Sequence, residues 1–234
     1  MKATLLLIFV LLTAVGHAHA DEPARYQMRA ASADGIGKFY FHREIAHVMG
    51  FEGAAWLERP GRQTEERPDL LLTALRLESG MNVADIGAGS GYLSKRMAPL
   101  VAPGKVYAVD VQPQMVRLLR DLSKQSATAN VVPVLGSTDA VNLRSDSLEL
   151  AILVDVYHEL SEPYEVMQSI IGALKSGGRL VLVEYRGEDP EVPIKPLHKM
   201  TLAQIRMEMG QFPLTFERSD ERLPIQHIAI FKKN

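Results

Sequence analysis

The chain has no cysteine among its 234 residues, only one tryptophan, and 6% aromatic residues in all. Without cysteine there is no disulfide, no thiolate metal site and no thiol nucleophile. Neither charge is in excess: 26 Lys and Arg against 28 Asp and Glu give a formal net charge of -2. A basic footprint is missing, so no nucleic-acid partner is expected. Beyond residue 20 no apolar run is long enough to cross a bilayer, and no membrane span is expected there. What remains, 47% hydrophobic and 23% charged residues, is the composition of a chain that buries a core. Its length suits one domain behind a short leader.

The leader is written in the first residues. Met1-Lys2 is a minimal basic start, Thr4 to Val15 is nearly unbroken apolar sequence, and Ala18-His19-Ala20 offers a small-x-small cleavage pattern. About a dozen residues fall short of a bilayer of ~30 Å at ~1.5 Å per residue. A signal peptide over 1–20 is therefore expected, cleaved after Ala20, with a periplasmic or secreted mature chain. An uncleaved anchor is the alternative. Residues 21–67 read as a linker and a small N-terminal helical extension, in which Phe39, Tyr40, Phe41 and Trp56 are packing residues.

From Pro68 to the C-terminus helix and strand signals alternate. Buried strands are predicted at Val83–Ile86, Lys105–Asp110, Val131–Leu135, Leu148–Asp155 and Arg179–Glu184. Helices are predicted over Leu70–Leu77, Tyr92–Leu100, Pro113–Lys124, Pro163–Leu174 and Thr201–Met209, and a terminal hairpin over Leu214–Arg218 and Gln226–Phe231. Alternation of this kind implies an α/β fold with a mostly parallel sheet covered by helices on both faces. Ligands of such sheets sit at the carboxyl ends of the strands, so the loops after strands are where chemistry belongs.

One of those loops stands out. In Val83-Ala84-Asp85-Ile86-Gly87-Ala88-Gly89-Ser90-Gly91-Tyr92 an apolar strand carries an acid near its end and turns through three glycines into a helix. A dinucleotide loop would have its third glycine at position 92, where this chain has Tyr. An acid two residues before Gly87 would repel a diphosphate and favours a cation. Asp110 ends the next strand, where a carboxylate can accept from two ribose hydroxyls. Asp139 follows another strand.

The runs Val83–Tyr92, Val106–Asp110, Gly136–Leu143, Leu150–Leu160 and Leu174–Arg179 resemble the class I S-adenosylmethionine-dependent methyltransferases. The resemblance covers about residues 68–185. It implies a Rossmann-like three-layer sandwich with seven strands, the last antiparallel, and S-adenosyl-L-methionine as cofactor. It implies that Asp85 and the loop of Gly87, Ala88, Gly89 and Gly91 hold the methionine part, Asp110 with Val111 the ribose, and Asp139 the adenine amine. Ser137-Thr138 separate Gly136 from Asp139, whereas in many members glycine and acid are adjacent.

Asp155, at the tip of the strand that faces the donor, is a further cofactor-binding candidate. For the acceptor side, Tyr157, His158 and Glu159 follow that strand, with His158 the candidate base or orienting group. Tyr157 is a candidate for packing on adenine or touching acceptor, and Glu184 with Tyr185 ends the next strand. His198-Lys199 either closes over the pocket or starts the last helix. No metal site is expected, since His42 and His47 are five apart and match no ligand spacing. The leading expectation is methyl transfer to a small molecule. An exported nucleoside-binding protein without catalysis and an aminopropyltransferase-like enzyme are the alternatives.

Overall fold

A computed structural model describes residues 25–234, so the predicted leader lies outside the described residues. Among the described residues no helix is long and apolar enough to cross a membrane.

The main domain is built on strands β4 (Val83–Ile86), β5 (Val106–Asp110), β6 (Val131–Leu135), β7 (Leu148–Val154), β8 (Leu174–Arg186), β10 (Leu214–Asp220) and β11 (Gln226–Lys233). They lie in the order β10-β11-β8-β7-β4-β5-β6, with the two-residue β9 (Lys199–Met200) pairing parallel to the end of β8. Strands β4 to β8 run parallel and β11 is antiparallel to both its neighbours. This is the α/β Rossmann-like sheet the sequence implied.

Both faces of the sheet are buried, and the pleat assigns side chains to each. Along β8, Leu180 and Leu182 join one core cluster while Val181 and Val183 join the other. One face packs on α6 (Pro163–Ala173) and α7 (Leu202–Met209) through Met167, Ile170 and Ile205. The other packs on α3 (Pro68–Leu75), α4 (Ser94–Val101) and α5 (Pro113–Ser123) through Leu71, Leu75, Met97 and Leu119. Helix α5 buries Met115, Val116, Leu119 and Leu122, one apolar stripe on an otherwise polar helix. Strand order reverses between β4 and β7, which opens the crevice at their carboxyl ends.

The N-terminal extension corrects the sequence expectation for 21–67. Instead of a linker and helices alone it begins as a three-stranded antiparallel sheet, β1 (Gln27–Met28), β2 (Gly35–Tyr40) and β3 (Arg43–Ala46). Only then come the one-turn helices α1 (Ala54–Leu57) and α2 (Arg62–Glu65). The turn between β2 and β3 is Phe41-His42, both with positive φ (46° and 68°). Hairpin turns of that shape normally advertise themselves by Asn or Gly, and this one does not. The small sheet is fastened by Arg43, whose guanidinium donates to Glu208 of α7 at 2.9 and 3.1 Å and to the His158 carbonyl at 2.9 Å. Tyr26 donates to Glu165 and Lys38 to Glu162, both at 2.5 Å.

Candidate functional site

A cleft of about 610 Å³ lies over the carboxyl ends of β4, β5 and β7. Its floor is the loop that follows β4. Gly87 has φ +69°, and a Cβ there would come within 2.5 Å of Val156 Cγ2. Both the left-handed backbone and the close approach demand glycine. Gly87→Ala is therefore expected to cost roughly 1–2 kcal/mol from φ alone, with the Val156 clash added. At ~2–4 °C per kcal/mol for a domain of this size, a melt should fall by several degrees. Val156→Ala in the same chain should return the steric part. An unchanged melting temperature in Gly87→Ala would refute the strained-loop reading.

Two acids flank the loop. Asp85 is 3% exposed and accepts from Ser94 Oγ at 2.6 Å; burial pushes its pKa up to about 6. Asp110 accepts from the backbone N–H of Gly89 at 2.9 Å and of Gln112 at 2.9 Å, and burial raises it too. Asp155, with φ 55° at the tip of β7, accepts from Gln226 Nε2 at 2.7 Å. Burial, then the charges of Glu66 and Glu184, raise its carboxyl. Its Oδ1 is the one buried side-chain polar atom among the described residues that has no partner. Three desolvated acids, one with an orphaned oxygen, form a donor set suited to a cation and hostile to a diphosphate. That set fits the ammonium and sulfonium of S-adenosylmethionine.

The other sequence-derived residues fall into two groups. Ala88 and Val111 line the cleft with Gly87 and Gly89. Gly91 does not: a Cβ there would meet Leu122 and Leu119 of α5, so it seats the loop on that helix. Asp139 lies outside the cleft, exposed, with its carboxylate accepting from Ser137 Oγ at 2.6 Å. Ser137 and Thr138 line the wall instead, because the two-residue insertion turns the acid outward. Tyr157 is fully buried and faces away from the cleft, its hydroxyl donating to Glu208 at 2.7 Å. Burial pushes that phenol well above its usual range. Its placement corrects the expectation of contact with adenine or acceptor: the 3₁₀ turn Tyr157–Glu159 sends consecutive side chains in different directions.

His158 does face the cleft. Its Nδ1 lies 2.6 Å from Glu184 Oε2, and Glu184 Oε1 accepts from the Tyr157 N–H at 2.9 Å. A carboxylate only accepts, so Nδ1 carries a proton and Nε2 is the nitrogen left for other partners. Glu184 is wholly buried and reaches the cleft only through this ring.

The sequence singled out His198 and Glu159 but not their partners, nor Met49, Gln112 and Glu58. His198 Nδ1 lies 3.1 Å from His158 Nε2, and burial followed by the His158 charge lowers the His198 pKa. Gln112 donates to the Met49 carbonyl at 3.0 Å, and the Met49 N–H donates to Glu159 at 3.0 Å. Burial pushes Glu159 up to about 7. Glu58 accepts from Ser90 at 2.7 Å and Lys95 at 2.6 Å. The N-terminal extension thus reaches the donor loop at several points. No spacing rule could have shown this, since every partner is distant in sequence.

Comparison with known proteins agrees with this geometry. The family described as "Methyltransferase domain" matches residues 77–221. A ubiquinone biosynthesis O-methyltransferase of Xanthomonas axonopodis pv. citri is 28% identical over 150 residues, 61% of each chain. A tRNA U34 carboxymethyltransferase of Desulfotalea psychrophila is 28% identical over 126 residues, 54% of this chain and 39% of that one. The chain spans about three fifths of the length of the first of these relatives and less of the second. A solved S-adenosylmethionine-dependent methyltransferase from Aquifex aeolicus superposes with a TM-score of 0.75 at 21% identity, covering 80% of this chain and all of that one.

Proposed function

Because the chain belongs to the methyltransferase-domain family and carries a class I S-adenosylmethionine-dependent domain, we propose that the protein methylates a small acceptor. The observation that carries the proposal is the shared cleft: cation-suited acids at one side, a carboxylate-oriented histidine at the other.

When bound, S-adenosylmethionine supplies a methyl on a sulfonium, and in-line attack by an acceptor lone pair returns the S–C electron pair to sulfur. Asp85 and the loop from Gly87 to Gly89 hold the methionine end, and Asp110 accepts from the ribose hydroxyls. His158 Nε2 takes the proton from an acceptor hydroxyl or thiol, and Glu184 stabilises the imidazolium that forms. Residues of the N-terminal extension, Met49 and Leu57 among them, cover the cleft and keep water from the transfer. The apolar walls, including Val48, Leu160 and Ile194, suit an acceptor with a hydrophobic body. The leader belongs to this reading as well: N-terminal sequencing of the mature protein should begin at Asp21.

Titration with the donor tests the assignment of Asp85. With a carboxyl that ionises at about 6 in the free protein, the donor ammonium binds the ionised form. Affinity is then nearly full above about pH 7, halved near pH 6, and falls about tenfold from pH 7 to pH 5. Calorimetry on Asp85→Asn should give weaker binding without that slope. The same slope in both proteins removes Asp85 from the donor site. No binding by wild type at any pH removes the methyltransferase reading itself.

A further inference from the structure

Beside the donor-binding acids the cleft holds one cluster that donor binding does not use. His158, Glu159 and His198 each offer a ligand atom, and those atoms all lie within 4.8 Å of one another. His158 sits at the end of β7 and His198 in the loop before β9, forty residues later; only the fold brings them together.

We propose that His158 Nε2, His198 Nδ1 and a Glu159 carboxylate oxygen bind one divalent first-row transition metal, Zn²⁺ being the simplest case, with its open positions facing the cleft. Four features point this way. First, the two ring nitrogens are 3.1 Å apart. Tetrahedral ligands at ~2.0–2.1 Å from zinc stand about 3.3 Å apart, so the pair needs only a small adjustment. Second, Glu184 holds His158 Nδ1 at 2.6 Å and is itself held by the Tyr157 N–H at 2.9 Å. A carboxylate behind a ligating histidine fixes its tautomer and aims the other nitrogen. Third, Glu159 accepts the Met49 N–H through Oε2, which leaves Oε1 without a partner among the described residues. Fourth, two imidazoles and one carboxylate are the ligand types of catalytic zinc and of non-haem iron(II), whose sites keep positions open.

In the metal-free protein the two ring nitrogens lie within hydrogen-bond distance of each other. The lone pair of His158 serves either as a base or as a ligand, not both at once. A bound metal would lower the acceptor's pKa so that its proton passes to solvent, in place of transfer to His158. This last step rests on the methyl-transfer reading and narrows the acceptor to a molecule whose hydroxyl or thiol ligates a metal.

The test uses the mature full-length chain, stripped with EDTA and titrated with ZnCl₂ by calorimetry, with Co²⁺ absorption as a second readout. One equivalent should bind at micromolar or tighter affinity, and Co²⁺ should give the intense visible bands of a low-coordinate site. His198→Ala and Glu159→Gln should each weaken binding at least tenfold. Glu184→Gln, which touches no metal, should weaken it ~10–100-fold. His227→Ala, whose ring pairs with Glu188 and Glu221 outside the cleft, should leave it unchanged. Circular dichroism melts show whether each variant is folded. The Co²⁺ spectrum of wild type stands even if one is not. Absence of binding by wild type, binding unaltered in His198→Ala, or loss in His227→Ala alone would overturn the site. Donor titration of the stripped protein is read in parallel: donor bound without metal overturns only the metal site, and metal bound without donor overturns only the methyltransferase reading.

Discussion

Replacing Asp110 by alanine should weaken S-adenosylmethionine binding at least a hundredfold while leaving the protein folded. In the free protein the carboxylate accepts from Gly89 and Gln112, one N–H on each oxygen. Each oxygen retains a lone pair, and those two lone pairs are what the ribose diol meets. A hydrogen bond to a charged group contributes ~1.5–3 kcal/mol. Losing two such bonds amounts to about 3–6 kcal/mol, or ~10²–10⁴ in affinity. The donor loop would loosen as well, since Gly89 loses its anchor. Asp110→Asn keeps one acceptor oxygen and should fall between wild type and alanine. Equal dissociation constants for wild type and Asp110→Ala, measured by calorimetry above pH 7, would take the ribose away from this residue.

The second large effect lies outside the cleft. Arg43→Met should destabilise the fold by ~3–5 kcal/mol, because it strands the Glu208 carboxylate where no solvent reaches it. At ~2–4 °C per kcal/mol that lowers the melting temperature by roughly 6–20 °C. Glu208 would keep its bonds from Tyr157 at 2.7 Å and Gln204 at 2.7 Å, but neither brings a charge. Adding Glu208→Gln to Arg43→Met removes the buried charge and should restore most of the loss. If the double variant melts as low as the single one, the damage comes from somewhere other than the ion pair. Arg43 also holds the His158 carbonyl, so the single variant should lower turnover more than donor affinity. The contact that fastens the N-terminal sheet is also one that holds the 3₁₀ turn of His158 in place.

Sequence and tertiary structure divide the remaining information along clear lines. Periodicity is local, and so the core elements were legible: α5 with its apolar stripe, β7 and β8 with the apolar runs Leu150–Val154 and Leu180–Val183, the closing β10–β11 hairpin. The run of an acid and glycines at alternate positions is local too, because its demands come from the backbone. Gly87 needs a positive φ, and Asp85 is placed by the strand that carries it. The N-terminal hairpin was missed because Phe41-His42 take left-handed φ without a residue that signals it.

The amino-acid sequence by itself determined the sheet, the glycine loop after β4 and the acidic charge beside that loop. All three follow from patterns within about ten residues, where chain geometry leaves few choices. Only the tertiary structure decided which side chains meet. It turned Tyr157 and Asp139 away from the cleft, joined His158 to Glu184 and His198, and laid Met49 over Glu159. Those meetings depend on loops that cross the end of the sheet, and no local preference encodes where two distant loops touch.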